Sequence, residues 1–244
     1  MREWTLGGIS DAAAIRSVKP SSMGGASRPR RRATGGQRWY RATWWLLLMA
    51  GLLPGLWLAA RTGGAFGGLG VNPVETLLLD TGTYAIIALL VALSVTPLRR
   101  LTGVANVGRY RRLLGLVAFG YASAHFLVWL GVDLFFDWVL ILEDLTTRPF
   151  VMAGFAAWFM LLLLAATSTH AAMRLLKRNW TRLHRLVYPA AILAVVHIVW
   201  LTRADYREAT IYALTLSILL GLRVFWALQA ARKIRGQPAR NGAG

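Results

Sequence analysis

The chain has 244 residues, with 28 Lys and Arg against 10 Asp and Glu, a formal net charge of +18 and no Cys. Its 56% hydrophobic content exceeds what a soluble domain needs, and the missing Cys excludes disulfides, iron–sulfur clusters and thiolate haem ligation. The positive charge lies in short blocks between apolar runs, a membrane topology signal that argues against nucleic acid as a partner.

Residues 1–41 are rich in Gly, Ser, Pro and Arg, with Arg28, Arg30, Arg31 and Arg32 close together. Lacking an apolar period, they read as a disordered basic N-terminal arm, either a topology anchor or sequence upstream of the true start. Six apolar segments follow, at approximately 43–60, 82–98, 114–131, 150–168, 186–202 and 210–228. Each is long enough to cross a hydrocarbon layer ~30 Å thick. The predicted fold class is all-α, a polytopic bundle of six transmembrane helices over 42–229 that sits in a lipid bilayer, followed by a basic tail at 230–244. Gly51, Pro54, Gly154 and Pro189 fall inside the segments, where membrane helices tolerate such residues.

Charge fixes the expected orientation. The arm, the 99–112 loop, the 170–185 loop and the tail after 228 carry 9, 5, 5 and 4 basic residues. The three intervening loops carry only Arg61, Arg148, Arg203 and Arg207, together with eight of the ten acids. The positive-inside rule therefore predicts both termini in the cytoplasm. Within the outer loops, 132–149 is too apolar for a plain hydrophilic connection and is expected to form an interfacial helix, with Trp138 at headgroup depth. The Gly-rich 61–80 stretch matches no phosphate-binding pattern. Outside the arm no polar stretch reaches twenty residues, too short for a flavin or nicotinamide domain, so electrons would enter from another protein or a small carrier.

The chemistry-bearing residues are histidines. His184 and His197 lie thirteen residues apart on one apolar run, and His125 lies in an earlier one. Ionisable residues inside membrane helices point by default to an ion path, a proton relay or a metal site. His125 is about eleven residues into the third segment and His197 towards the outer end of the fifth, which runs the same way. The two therefore fall at matched depth, as a bis-His b-type haem requires, whereas the alternative is a histidine that only bonds a neighbouring carbonyl. His184, between Arg182 and Arg185, is at the inner boundary, and His170 after Thr169 is expected to be an exposed cytoplasmic residue. Thirteen residues leave His184 and His197 roughly 140° apart around an ideal helix, although Pro189 between them can alter that phase. One haem is thus better supported than two.

Several strings carry a resemblance: GLLPGLWL at 51–58, GGLGVNPVE at 67–75, TGTYAI at 81–86 and Thr96–Pro97. They continue with RRLLGL at 111–116, His125, TRP at 147–149, TST at 167–169, LHRLVY at 183–188 and His197. From about 43 to 228 the chain resembles the MsrQ family, the haem-binding membrane subunits of periplasmic methionine sulfoxide reductase systems, within the ferric-reductase-like transmembrane proteins. The resemblance implies a haem b protein of the bacterial inner membrane that also binds FMN. Its haem ligands would be His125, His184 and His197, with one haem or two. It would pass electrons from quinone or a cytosolic flavin reductase to a periplasmic molybdopterin enzyme, MsrP, as the electron-transfer rather than the catalytic subunit. Arg111, Arg112, Lys177, Arg178 and Arg182 form a basic inner surface that would suit a flavin phosphate or would simply be topology charge. Two other readings remain open. One is a stand-alone ferric or superoxide-type reductase, which would need a separate flavin domain. The other is a proton-coupled transporter, which would need a membrane acid or base that the segments lack apart from Arg223.

Overall fold

The computed structural model describes residues 35–235, and every regular element among them is helical. Nine α-helices run in chain order: α1 (Gly35–Thr62), α2 (Pro73–Thr102), α3 (Arg111–Leu127), α4 (Trp138–Thr147), α5 (Pro149–Ala166), α6 (His170–Leu176), α7 (Arg178–Leu183), α8 (Val187–Leu201) and α9 (Arg207–Arg235). Among the described residues six helical runs are long and apolar enough to cross a membrane, one for each predicted segment. The expected arm lies outside the described residues up to position 34, and the expected tail from 236 onward. Helix α1 begins at Gly35 and α9 continues to Arg235, so each extends past the expected boundary.

Large apolar side chains such as Leu46, Leu53, Leu56, Phe159 and Ile218 are exposed on the outside of the bundle, as lipid-facing residues are. The core is narrow. It is built from Ile86, Leu89 and Leu93 on α2, Ala118 on α3, Leu161 on α5, Ala190 and Ala191 on α8, and Leu216 on α9. Ala118, Ala190 and Ala191 are wholly buried, because small side chains let membrane helices approach closely. The most extensive packing joins α2 to α3 and α5 to α8.

Helix α2 starts nine residues before the predicted segment. Asn72 caps it, accepting from the Glu75 backbone N–H at 3.3 Å and donating to Glu75 Oε2 at 2.9 Å, and Pro73 occupies the first turn. This capping box places Glu75 and Asp80 on a helix rather than in the expected loop. The predicted outer helix is present as α4. Asp137 caps it by accepting from the N–H groups of Val139 and Leu140, and it buries Ile141 and Asp144. The expected 170–185 loop is instead helical, with α6 capped by Thr169 and separated from α7 by Lys177 at φ 45°. Helix α7 and a 3₁₀ turn, His184–Leu186, lead directly into α8.

Two prolines lie inside helices, each beside a polar side chain from another helix. Pro97 has no N–H to offer the carbonyl of Leu93, four residues back and buried. Arg223 on α9 takes its place, donating from Nη2 to Leu93 O at 2.6 Å and from Nη1 to the Tyr188 hydroxyl. Beside Pro54, the Tyr121 hydroxyl enters the α1 ladder, donating to Gly51 O at 2.6 Å and accepting from Gly55 N–H at 2.9 Å. Those two groups would bond each other in a regular helix. A Cβ on Gly55 would stand 3.1 Å from the Tyr121 oxygen, and one on Gly51 3.2 Å from Val117. The GLLPG string is therefore the docking face of α1 on α3.

Candidate functional site

His125 projects from α3 and His197 from α8, and their ring centroids are 6.1 Å apart. Each ring is held from behind by a different helix. His125 Nδ1 donates to Leu78 O on α2 at 2.9 Å, and His197 Nδ1 donates to Phe150 O on α5 at 2.6 Å. A carbonyl only accepts, so Nδ1 carries the proton in both and Nε2 keeps its lone pair. Neither Nε2 has a hydrogen-bond partner among the described residues.

The same construction appears twice. Four residues after each accepting carbonyl stands a glycine, Gly82 after Leu78 and Gly154 after Phe150. A Cβ at Gly82 would lie 3.2 Å from both Cε1 and Nδ1 of His125. One at Gly154 would lie 2.8 Å from His197 Nδ1 and 3.0 Å from its Cε1. Each imidazole thus rests directly on the backbone of the neighbouring helix, on a spot that any other side chain would fill.

Both histidines line a cavity of about 730 Å³. Ile86, Leu89 and Leu161 form part of its wall, and Phe126, Trp129, Phe155 and Trp158 form an aromatic side, with Phe126 stacked on Trp158 at 4.0 Å. Glu75, Asp133, Asp144, Arg148, Asp205 and Glu208 also contribute to its lining. Asp144 is buried, pairs with Arg148 at 3.2 Å and accepts weakly from Trp129 Nε1 at 3.5 Å. Trp129 belongs to a π-helical turn, Val128–Asp133, that ends α3 and directs its indole towards α4.

These residues fit a haem. An iron with an imidazole nitrogen about 2 Å away on either side requires ring centroids roughly 6 Å apart, which matches the observed pair. The backbone carbonyls supply the outer hydrogen bonds that metal-bound histidines ordinarily make. The cavity volume is that of a cofactor site, and its wall is mainly apolar.

The remaining histidines lie elsewhere. His184 is not part of the cavity lining. It sits in the 3₁₀ turn before α8, with Nδ1 donating to Trp180 O at 3.1 Å and its ring stacked on Trp180 at 3.9 Å. His170 is exposed, as expected, and lies 3.2 Å from Arg112 Nη1. The only pair of histidine rings in contact among the described residues is His125 with His197. Sequence reasoning missed the orienting groups, Leu78, Gly82, Phe150 and Gly154. The available signal was a glycine inside each apolar helix, one turn beyond the residue whose carbonyl is used.

Paired imidazoles facing an apolar cavity within a helical bundle are in keeping with a ferric-reductase-like transmembrane protein, and residues 81–195 match the family described as ferric reductase like transmembrane component. The protein-methionine-sulfoxide reductase heme-binding subunit MsrQ of Xanthomonas euvesicatoria pv. vesicatoria is 51% identical over 164 residues, 67% of this chain and 75% of the relative. The subunit of the same name from Xanthomonas axonopodis pv. citri is 49% identical over 175 residues, 70% of this chain and 80% of the relative. That of Ralstonia nicotianae is 44% identical over 192 residues, 78% and 86% of the two chains. No solved structure matches the chain. The chain belongs to the MsrQ family of heme-binding subunits.

Proposed function

We propose that this chain is the membrane electron-transfer subunit of a methionine sulfoxide reductase system, carrying haem b between His125 and His197. The observation that carries this reading is the facing pair of imidazoles, each with its Nε2 free and its Nδ1 tied to a carbonyl. Bound there, a haem supplies a one-electron ferric–ferrous couple. His125 and His197 would hold the haem as a pair of imidazole ligands, an arrangement suited to electron transfer rather than oxygen chemistry. The carbonyls keep both imidazoles neutral donors.

The rest of the reading is directional. The basic connections and both termini face the cytoplasm of a bacterial inner membrane, in keeping with the charge distribution. Quinone or a cytosolic flavin reductase delivers electrons, and the periplasmic molybdopterin enzyme MsrP receives them. The acidic residues along the cavity, including Asp133, Asp205 and Glu208, would guide a partner with a basic face, acting on rate and orientation more than on affinity. His184 is the ligand of a second, inner haem position in this reading, and FMN associates with the basic inner surface formed by Arg111, Arg112, Lys177, Arg178 and Arg182.

The test is a reduced-minus-oxidised visible spectrum of the purified protein beside its His125→Ala and His197→Ala variants. The expected result is a low-spin b-type spectrum in the wild type whose contribution from this site is lost in both variants. A colourless wild type overturns the reading.

A further inference from the structure

The two imidazole planes are not parallel: they stand 78° apart. Each plane is fixed at two points. The Nδ1–H bond to Leu78 O or Phe150 O sets where the ring edge points. The bare backbone lets each ring settle against its neighbouring helix, at Gly154 closer than a Cβ would allow and at Gly82 closer than most Cβ contacts. Because the supporting helices, α2 and α5, are different, the two rings are oriented independently.

Ring orientation has an electronic consequence at an iron between them. Each imidazole interacts through its π orbital, perpendicular to its own plane, with one of two otherwise equivalent iron d orbitals. Parallel rings act on the same orbital and split the pair. Perpendicular rings act on one orbital each and leave the pair nearly degenerate. A ferric ion, with one unpaired electron in that pair, loses the stabilisation that splitting would give and keeps more orbital angular momentum.

We propose that Gly82 and Gly154, with the carbonyls of Leu78 and Phe150, are positioning residues that hold the axial imidazoles close to perpendicular and thereby raise the reduction potential of the site. This rests on the haem reading above. The iron takes up one electron, and no bond is made or broken, so the protein's control is entirely through ligand orientation and hydrogen bonding.

The experiment is low-temperature EPR of the ferric full-length protein, with a potentiometric titration followed in the visible. The variants are Gly154→Ala, Gly82→Ala and, as a control, Gly120→Ala, where an added Cβ meets nothing within 4 Å. The wild type is expected to give the highly anisotropic low-spin signal of perpendicular ligands, its largest g value above that of a bis-imidazole haem with parallel rings. Gly154→Ala should lower both that g value and the midpoint potential while low-spin haem is retained. Gly82→Ala should do the same to a smaller extent, and Gly120→Ala should change neither. If Gly154→Ala does not accumulate, Gly82→Ala carries the comparison, because its added carbon meets the ring at 3.2 Å rather than 2.8 Å. An ordinary rhombic signal in a wild type with a b-type visible spectrum overturns the proposal and leaves the haem reading intact. So do Gly→Ala variants with unaltered g values and potential. A wild type without haem overturns both.

Discussion

His197 and His184 share a helical run yet have different surroundings, and that difference yields a prediction. His197 rests on Gly154, faces His125 and lines the cavity, whereas His184 stacks on Trp180 outside it. Replacing His197 or His125 by Ala should abolish the bis-imidazole signal. His184→Ala should leave that signal in place and remove only haem in excess of one per chain, read from the haem-to-protein ratio by pyridine haemochrome assay. Loss of the bis-imidazole spectrum in His184→Ala would refute this division. The histidines themselves were legible in the sequence, since an imidazole in an apolar run stands out. Their orienting partners were not. Leu78 and Phe150 act through backbone carbonyls, which every residue possesses, and their selection depends on how α2 and α5 pack against α3 and α8. Gly82 lies in the TGTYAI string, but its role becomes visible only when His125 is seen 3.2 Å from where its Cβ would be.

At the scale of the helix, proline positions decide where polar side chains must go. The carbonyl of Leu93, a residue 1% exposed, is deprived of its helical donor by Pro97 and is satisfied by Arg223. Arg223→Met should lower stability by about 1–3 kcal/mol, the cost of a buried acceptor left unpaired, read as a fall in melting temperature in detergent. Pro97→Ala restores an N–H to α2, so Arg223→Met should cost less in that background. Equal losses in both backgrounds would refute the coupling. Tyr121→Phe should destabilise by about 1 kcal/mol, the worth of an ordinary hydrogen bond, since Gly51 O and Gly55 N–H can then bond each other. The six crossing helices were legible as apolar runs, but their ends were not. Hydropathy fades where a helix leaves lipid, while hydrogen bonding continues, so the turns at 73–81 and the short α6 and α7 carry little apolar signal. The Asn72–Pro73–Val74–Glu75 run that starts α2 is a cap signal that a reading by apolar runs passes over.

For the molecule as a whole, the opposed charge of its two ends is the feature to test. The chain contains no Cys, so single cysteines can be introduced without removing any. A cysteine at Lys177 should react with an impermeant thiol reagent only from the cytoplasmic side, and one at Val71 only from the periplasmic side; the reverse pattern would invert the topology. Arg178→Gln with Arg182→Gln should lower flavin content without lowering haem, and unchanged flavin would remove the basic surface from the flavin reading. The pairing of helices has a further consequence for how the protein is made. One half-site, His125 with Leu78 and Gly82, is contained in α2 and α3, and the other, His197 with Phe150 and Gly154, in α5 and α8. During synthesis the first half can form long before the second has left the ribosome. A cofactor needing both imidazoles has nowhere to settle until residue 197 enters the membrane. In the proposed reading its binding energy would then add to the packing between α2–α3 and α5–α8. A chain made without haem would keep the core that α2, α3, α5, α8 and α9 share, but would lack whatever the cofactor adds across the seam between the two half-sites.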